Sequence, residues 1–213
     1  MLSPNPNLLL VKRITAINPD TPQSLILSGY QPDDNDPYDD NTLDTNPVPD
    51  PIDTENWPTP LDTYIAGAFE DITVQPGDEI EYTIYFLSDG DTEAQSVMFC
   101  DLIPEHVTFN PTAFNGGPFS ADPASSPGLD LGIVFNRGST TVALTNASDG
   151  DGGEFFPAGT EAPATCNSAD FATSLTGTQN TTGAVVINAG DIPRASVDGI
   201  NAYGFFRFRA IVQ

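Results

Sequence analysis

Ile80, Tyr82, Ile84 and Phe86 alternate with Glu79, Glu81, Thr83 and Tyr85. This period of two with one apolar face predicts a half-buried antiparallel strand. Pro76-Gly77-Asp78 before it and Asp89-Gly90-Asp91 after it are turn signals. Residues 97–102 predict the next strand, which Pro104 ends because proline cannot donate to a ladder. Residues 8–17 open with the apolar run Leu8-Leu9-Leu10-Val11 and then alternate, so they predict a first strand greasy enough to be buried on both faces. Residues 25–27 predict a short strand, and residues 131–135 and 140–144 predict two more around an Asn136-Arg137-Gly138 turn. Residues 184–188 read as a strand followed by a turn at Ala189-Gly190-Asp191, and residues 203–212 as the last strand. The prediction is all-β and antiparallel.

Two stretches break the pattern. Residues 31–56 hold nine acids and five prolines with few core formers, the composition of a linker or loop. Residues 145–182 are dense in Gly, Asp and Thr and read as an insertion, with a helical turn near residues 168–175. No internal repeat is visible, so residues 1–213 are read as one elaborated domain, with residues 1–18 as its N-terminal strand. No apolar run approaches the roughly 20 residues that a membrane helix needs.

The stretch Pro76-Gly77-Asp78, Tyr82-Thr83-Ile84, Asp101, Ile103 and Pro104 resembles the conserved-repeat domain of bacterial surface proteins, the family called domain of unknown function eleven. Ser88-Asp89-Gly90 departs from it where the family usually carries asparagine before the turn. The first and last strands look like those of cyanobacterial members. The resemblance implies an immunoglobulin-like β-sandwich on an exported protein, associated with surface layers, adhesins and extracellular fibres rather than with a reaction. It implies an extracellular or cell-surface location, reached after removal of a signal that this chain does not display. In such an oxidising place Cys100 and Cys166 are expected to form a disulfide, worth roughly 3–4 kcal/mol on the loop-entropy model. Two buried free thiols are the alternative.

Thirty acids stand against six bases, a formal net charge of -24. That disfavours nucleic acid and anionic membranes, whose recognition rests on Lys and Arg. It leaves two readings, a solubilising surface or divalent cation binding. Asp33, Asp34, Asp36, Asp39 and Asp40 form the densest candidate Ca2+ cluster, and Asp149, Asp151 and Glu154 a second. Neither has the spacing of an EF-hand loop. Asp89, Asp91 and Glu93 form a third cluster, which the hairpin turn already explains. Lys12 on the first strand and Asn201 beside the last, with Asp101 as a nearby carboxylate, could form an intramolecular isopeptide bond; an edge-blunting lysine is the alternative. His106 is the one histidine, so neither a zinc site nor a hydrolytic triad is indicated. No catalytic residue and no cofactor other than Ca2+ is expected.

The functional expectation is a structural subunit of an extracellular filament or surface assembly. Leu8, Leu9, Leu10, Val11, Lys12, Arg13 and Ile14 would form a strand donated to a neighbour's sheet. Such a head-to-tail contact propagates into an open fibre. Lys12, Arg13, Arg207 and Arg209 on the terminal strands would give the acidic subunit a basic pole. The competing expectation is a monomeric adhesin or glycan-binding module of a larger surface protein.

Overall fold

The computed structural model describes residues 5–22, 24–26, 69, 73–163, 166 and 180–213. Ten strands lie among these residues: β1 (Leu8–Ile17), β2 (Leu25–Ile26), β3 (Glu79–Ser88), β4 (Ala94–Leu102), β5 (Val107–Phe109), β6 (Leu131–Arg137), β7 (Thr140–Thr145), β8 (Gly153–Phe156), β9 (Ala184–Ile192) and β10 (Tyr203–Val212). Seven form a large sheet in the order β2-β1-β3-β10-β6-β7, with β5 extending the second edge of β10, and three form a small sheet β4-β9-β8. Every strand pair is antiparallel. The fold is thus an all-β sandwich, as the alternating pattern predicts. The acidic stretch 31–56 and the expected helical turn near residues 168–175 lie outside the described residues.

Aromatic residues join the two layers. Ile80, Tyr82, Ile84 and Phe86 on β3 and Phe206, Phe208 and Ala210 on β10 face the small sheet and are buried. Phe86 and Phe206 both pack against Phe99 of β4, at centroid distances of 4.9 and 5.5 Å. Phe109 stacks on Phe155 of β8 at 4.2 Å. Pairs of this kind contribute about 0.5–1.5 kcal/mol beyond their buried area. Gly204 lets the strands close, because a Cβ there would lie 2.1 Å from the Asn136 carbonyl oxygen and 2.6 Å from the Phe86 ring.

Burial corrects two strand expectations. The half-buried strand β3 is buried on both faces: Glu81 is 5%, Thr83 0% and Tyr85 2% exposed. The reason is its central place between β1 and β10. Its outer face also carries a second apolar cluster of Leu9, Val11, Tyr85 and Leu87, packed against Ala195, Tyr203 and Phe205. Conversely β1, expected to be buried on both faces, buries Leu9 and Val11 but leaves Leu10 48% exposed.

Three boundaries also move. Ala189-Gly190-Asp191 is not a turn, since β9 continues to Ile192. Val97 pairs with Gly190 and Met98 with Asn188, so Ala189 is an extra residue, a β-bulge next to Gly190 at φ 64°. Strand β4 starts at Ala94, three residues early, across an irregularity at Ser96 (φ 51°), whose N–H donates to the Asp191 carboxylate. The glycine-rich insertion contributes a strand, β8, which pairs with β9 and carries Phe155 into the interlayer.

Candidate functional site

The two long margins of the sandwich are finished differently. At the β7–β8 margin the Phe155 N–H donates to the Asn146 carbonyl at 3.0 Å, tying the small sheet to the large one. At the opposite margin the small sheet stops at β4, whose one ladder partner among the described residues is β9. The inner face of β1 overhangs it: Leu8, Leu10, Lys12 and Ile14 lie opposite Ser88, Phe86, Ile84 and Tyr82 in the ladder. An open groove of about 310 Å³ runs there, lined by Pro6, Leu8, Ala94, Gln95, Val97 and Met98. Backbone bonds from Asp89 to Asn7 and from Asp91 to Asn5 hold the groove's N-terminal wall against the Asp-Gly-Asp turn. Gly90 is required there, since a Cβ would meet the Asn7 nitrogen at 2.4 Å.

Lys12 crosses this margin. Its Nζ lies 2.8 Å from Asp101 Oδ1 and 2.7 Å from Oδ2, joining β1 of the large sheet to β4 of the small one. The ammonium stands over the rings of Tyr82 and Phe208, 5.0 and 5.8 Å from their centroids. Burial pushes the Asp101 carboxyl above its ordinary range, and the Lys12 charge only partly offsets it. Burial, and then the Asp101 charge, raise the Tyr82 phenol. Asn201 does not join this pair. It sits by the Gly138 turn, where its amide donates to Asp198 at 2.8 Å, so the Lys12–Asn201 pairing expected from strand order is corrected. Of the expected trio, only Lys12 and Asp101 meet.

A second set of charges lies on the outer face of the large sheet; the sequence marked its arginines, Arg207 and Arg209, but not their carboxylate partners. Arg209 Nε donates to Glu81 Oε2 at 2.9 Å, and its Nη1 reaches Asp20 and Glu79. Arg207 Nε donates to Thr83 Oγ1 at 2.9 Å and stands 3.3 Å from Glu81. The Thr15 hydroxyl donates to Glu81 as well. Desolvation works against the buried Arg209 guanidinium, but Glu81 and Asp20 outweigh it and raise its pKa. Lys12, Arg207 and Arg209 therefore already have carboxylate partners within the chain. Arg137 and Arg194 are likewise turned to the carbonyls of Ala189, Asp191, Asn201 and Asp91. Three of the four bases expected to form a basic pole on the terminal strands are thus each paired with a carboxylate of the same chain.

The remaining expected residues divide clearly. Asp33, Asp34, Asp36, Asp39 and Asp40 lie outside the described residues. Asp149 and Asp151 are occupied by their own loop. Asp149 accepts the N–H of Ser126 at 2.6 Å, and Asp151 accepts those of Thr145 and Gly153 and the Ser125 hydroxyl. Desolvation pushes Asp149 up, yet the amides of Ser126 and Asp151 bring it below its ordinary range. Glu154 lines a shallow recess with Met98 and Asn188. Among the described residues no three His, Cys, Asp or Glu side chains converge on a metal-sized gap. Cys100 and Cys166 are bonded, with Cα atoms 5.2 Å apart.

The segment Leu8–Ile14, expected as a donated strand, lies in β1, which pairs with β3 of its own chain from Leu8 to Ile17 around a bulge at Thr15. One edge of its backbone is thus paired at home, while on the other edge only Ala16 and Ile17 have ladder partners among the described residues, in β2. Comparison with protein-family models, curated proteins and solved structures finds no match.

Proposed function

We propose that the chain is a non-enzymatic structural unit of an extracellular surface assembly or filament, joined to its neighbours by strand addition at the margin between β1 and β4. The observation that carries this reading is the mismatch, among the described residues, of seven strands against three, which leaves Leu10 48% exposed on the side where the small sheet ends at β4. An added strand needs ladder partners and an apolar shelf for alternate side chains, and this margin offers both. The occupant is an extended segment of a neighbouring subunit with apolar residues directed at Leu8 and Leu10. The chain thus acts as receiver, in place of the donor role expected for Leu8 to Ile14. The likeness of its Pro-Gly-Asp and Tyr-Thr-Ile motifs to surface-protein repeats supports the exported location.

Charge sets the conditions for such contacts. Copies carrying a net charge of -24 repel one another, and a divalent cation such as Ca2+ relieves that repulsion. A second reading, a monomeric adhesin or glycan-binding module, is favoured by β1 remaining in its own sheet. Sedimentation velocity over a concentration series, with and without Ca2+, separates the two. A structural unit forms oligomers that Leu10→Asp suppresses, because the variant would put an unpaired charge under the added strand. A protein that stays monomeric at every concentration and in Ca2+ is a module.

A further inference from the structure

We infer that Lys12 and Asp101 condense to an intramolecular amide that covalently joins the two sheets.

The choice of residue is the first argument. Lys12 is the only lysine in the chain, against five arginines. Arginine is the better partner in a partly buried ion pair, because its planar fork meets a carboxylate with two donors and it is weakly hydrated. On the outer face the terminal strands β1 and β10 use arginine, at positions 13, 207 and 209, opposite Thr83 and Glu81 in the ladders. The base is a lysine only where it points between the sheets. What lysine has and arginine lacks is an amine that can lose its proton and act as a nucleophile.

Geometry is the second argument. Nζ lies 2.8 and 2.7 Å from the two carboxyl oxygens. Those distances put the Asp101 Cγ about 3 Å from Nζ, within the near-attack range of roughly 3–3.5 Å. Oδ2 is buried and receives no aligned hydrogen bond despite its proximity, so the carboxyl is not locked into a saturated ion pair. The pair is also fixed from both sides, since β1 is laddered to β3 and β4 to β9. Well-oriented intramolecular reactants reach effective molarities of about 10⁵–10⁸ M, which offsets the competition of bulk water for the amide.

The chemistry is the third. Burial favours the neutral form of the Asp101 carboxyl. A proton passes from the Lys12 ammonium to the Asp101 carboxylate, giving a neutral amine and acid. The amine lone pair attacks Cγ, forming the N–C bond. One amine proton then moves to the carboxyl OH, the C–O bond breaks, and water leaves. Nothing is oxidised or reduced and no co-reactant is consumed. The Lys12 side chain is 36% exposed, which gives the water a path out. The product carries no charge, so the cost of holding a carboxylate between the sheets disappears.

Intact mass spectrometry of the purified, reduced and denatured protein tests this directly. The expected mass is below the sequence mass by one water, with a branched peptide joining the segments that contain Lys12 and Asp101. Lys12→Arg keeps the charge but cannot condense, so it should show its full mass. A folded wild-type protein that keeps its full mass after prolonged incubation overturns the inference and leaves an ion pair. This reading does not depend on the proposed function, and a monomeric module would carry the same bond.

Discussion

Arg209→Ala is the most informative single substitution in the outer-face network. The guanidinium touches Glu81, Asp20 and Glu79 and lies 4.8 Å from the Phe114 ring. Glu81 is 5% exposed, so the substitution strands a carboxylate away from water. Breaking a buried pair from one side costs about 3–5 kcal/mol, mostly the desolvation of the charge left behind. For a chain of this size 1 kcal/mol moves Tm by roughly 2–4 °C, so the expected loss is about 6–20 °C. Thermal unfolding followed by far-UV circular dichroism, with the disulfide intact, measures the Tm shift, and urea unfolding the free-energy loss. Glu81→Gln should return part of the loss in the Arg209→Ala background, because it removes the stranded charge. It should destabilise the wild type, where it leaves both arginines short of a partner. A loss below about 1 kcal/mol, the range of an exposed pair, would refute the claim that this face is desolvated.

Two further outcomes follow from the same structure. Reduction of Cys100–Cys166, which lie 66 residues apart, should lower stability by about 4 kcal/mol on the loop-entropy model; an unchanged urea midpoint after reduction and alkylation would contradict it. Acid should destabilise the turns: hydrogen bonds from Asn18 and Gln75 hold Asp78 below the ordinary carboxyl pKa, and Asp149 and Asp198 are also lowered. A depressed carboxyl contributes stability that is present above its unfolded value of 3.8 and lost as pH falls through the folded one. Asp101 is raised and contributes the opposite sign, losing relative stability as pH rises, unless it is consumed in an amide. A Tm that stays flat between neutral pH and pH values well below the ordinary carboxyl range would argue against the first statement.

The parts of this fold written locally were legible in the sequence. The strands at residues 8–17 and 203–212 were found at their true bounds, because their apolar runs are long and end in turn residues. Gly153-Glu154-Phe155-Phe156 was not, since a four-residue strand in a glycine-rich stretch has too short a pattern to register. Ala189-Gly190-Asp191 carries the composition of a turn, yet tertiary pairing with β4 makes it a bulge. The contacts that decide the chemistry are long-range. Glu81 meets Arg209 across 128 positions, and Lys12 meets Asp101 across 89. Asn201 looked like a partner for Lys12 because both lie near the terminal strands. Only the register shows that Lys12 is level with Phe206 through Ile84, while Asn201 lies before the start of β10, beside Gly138.

The central claim, that this is a structural unit which associates through its open margin, is tested most directly by hydrogen exchange of the β4 amides in dilute and concentrated protein, with electron micrographs of the same samples. The account predicts ordered assemblies at high concentration, with protection gained at residues 98–102 and at Leu10 and lost in Leu10→Asp. Unchanged exchange on β4, with particles that remain single at every concentration, would contradict it.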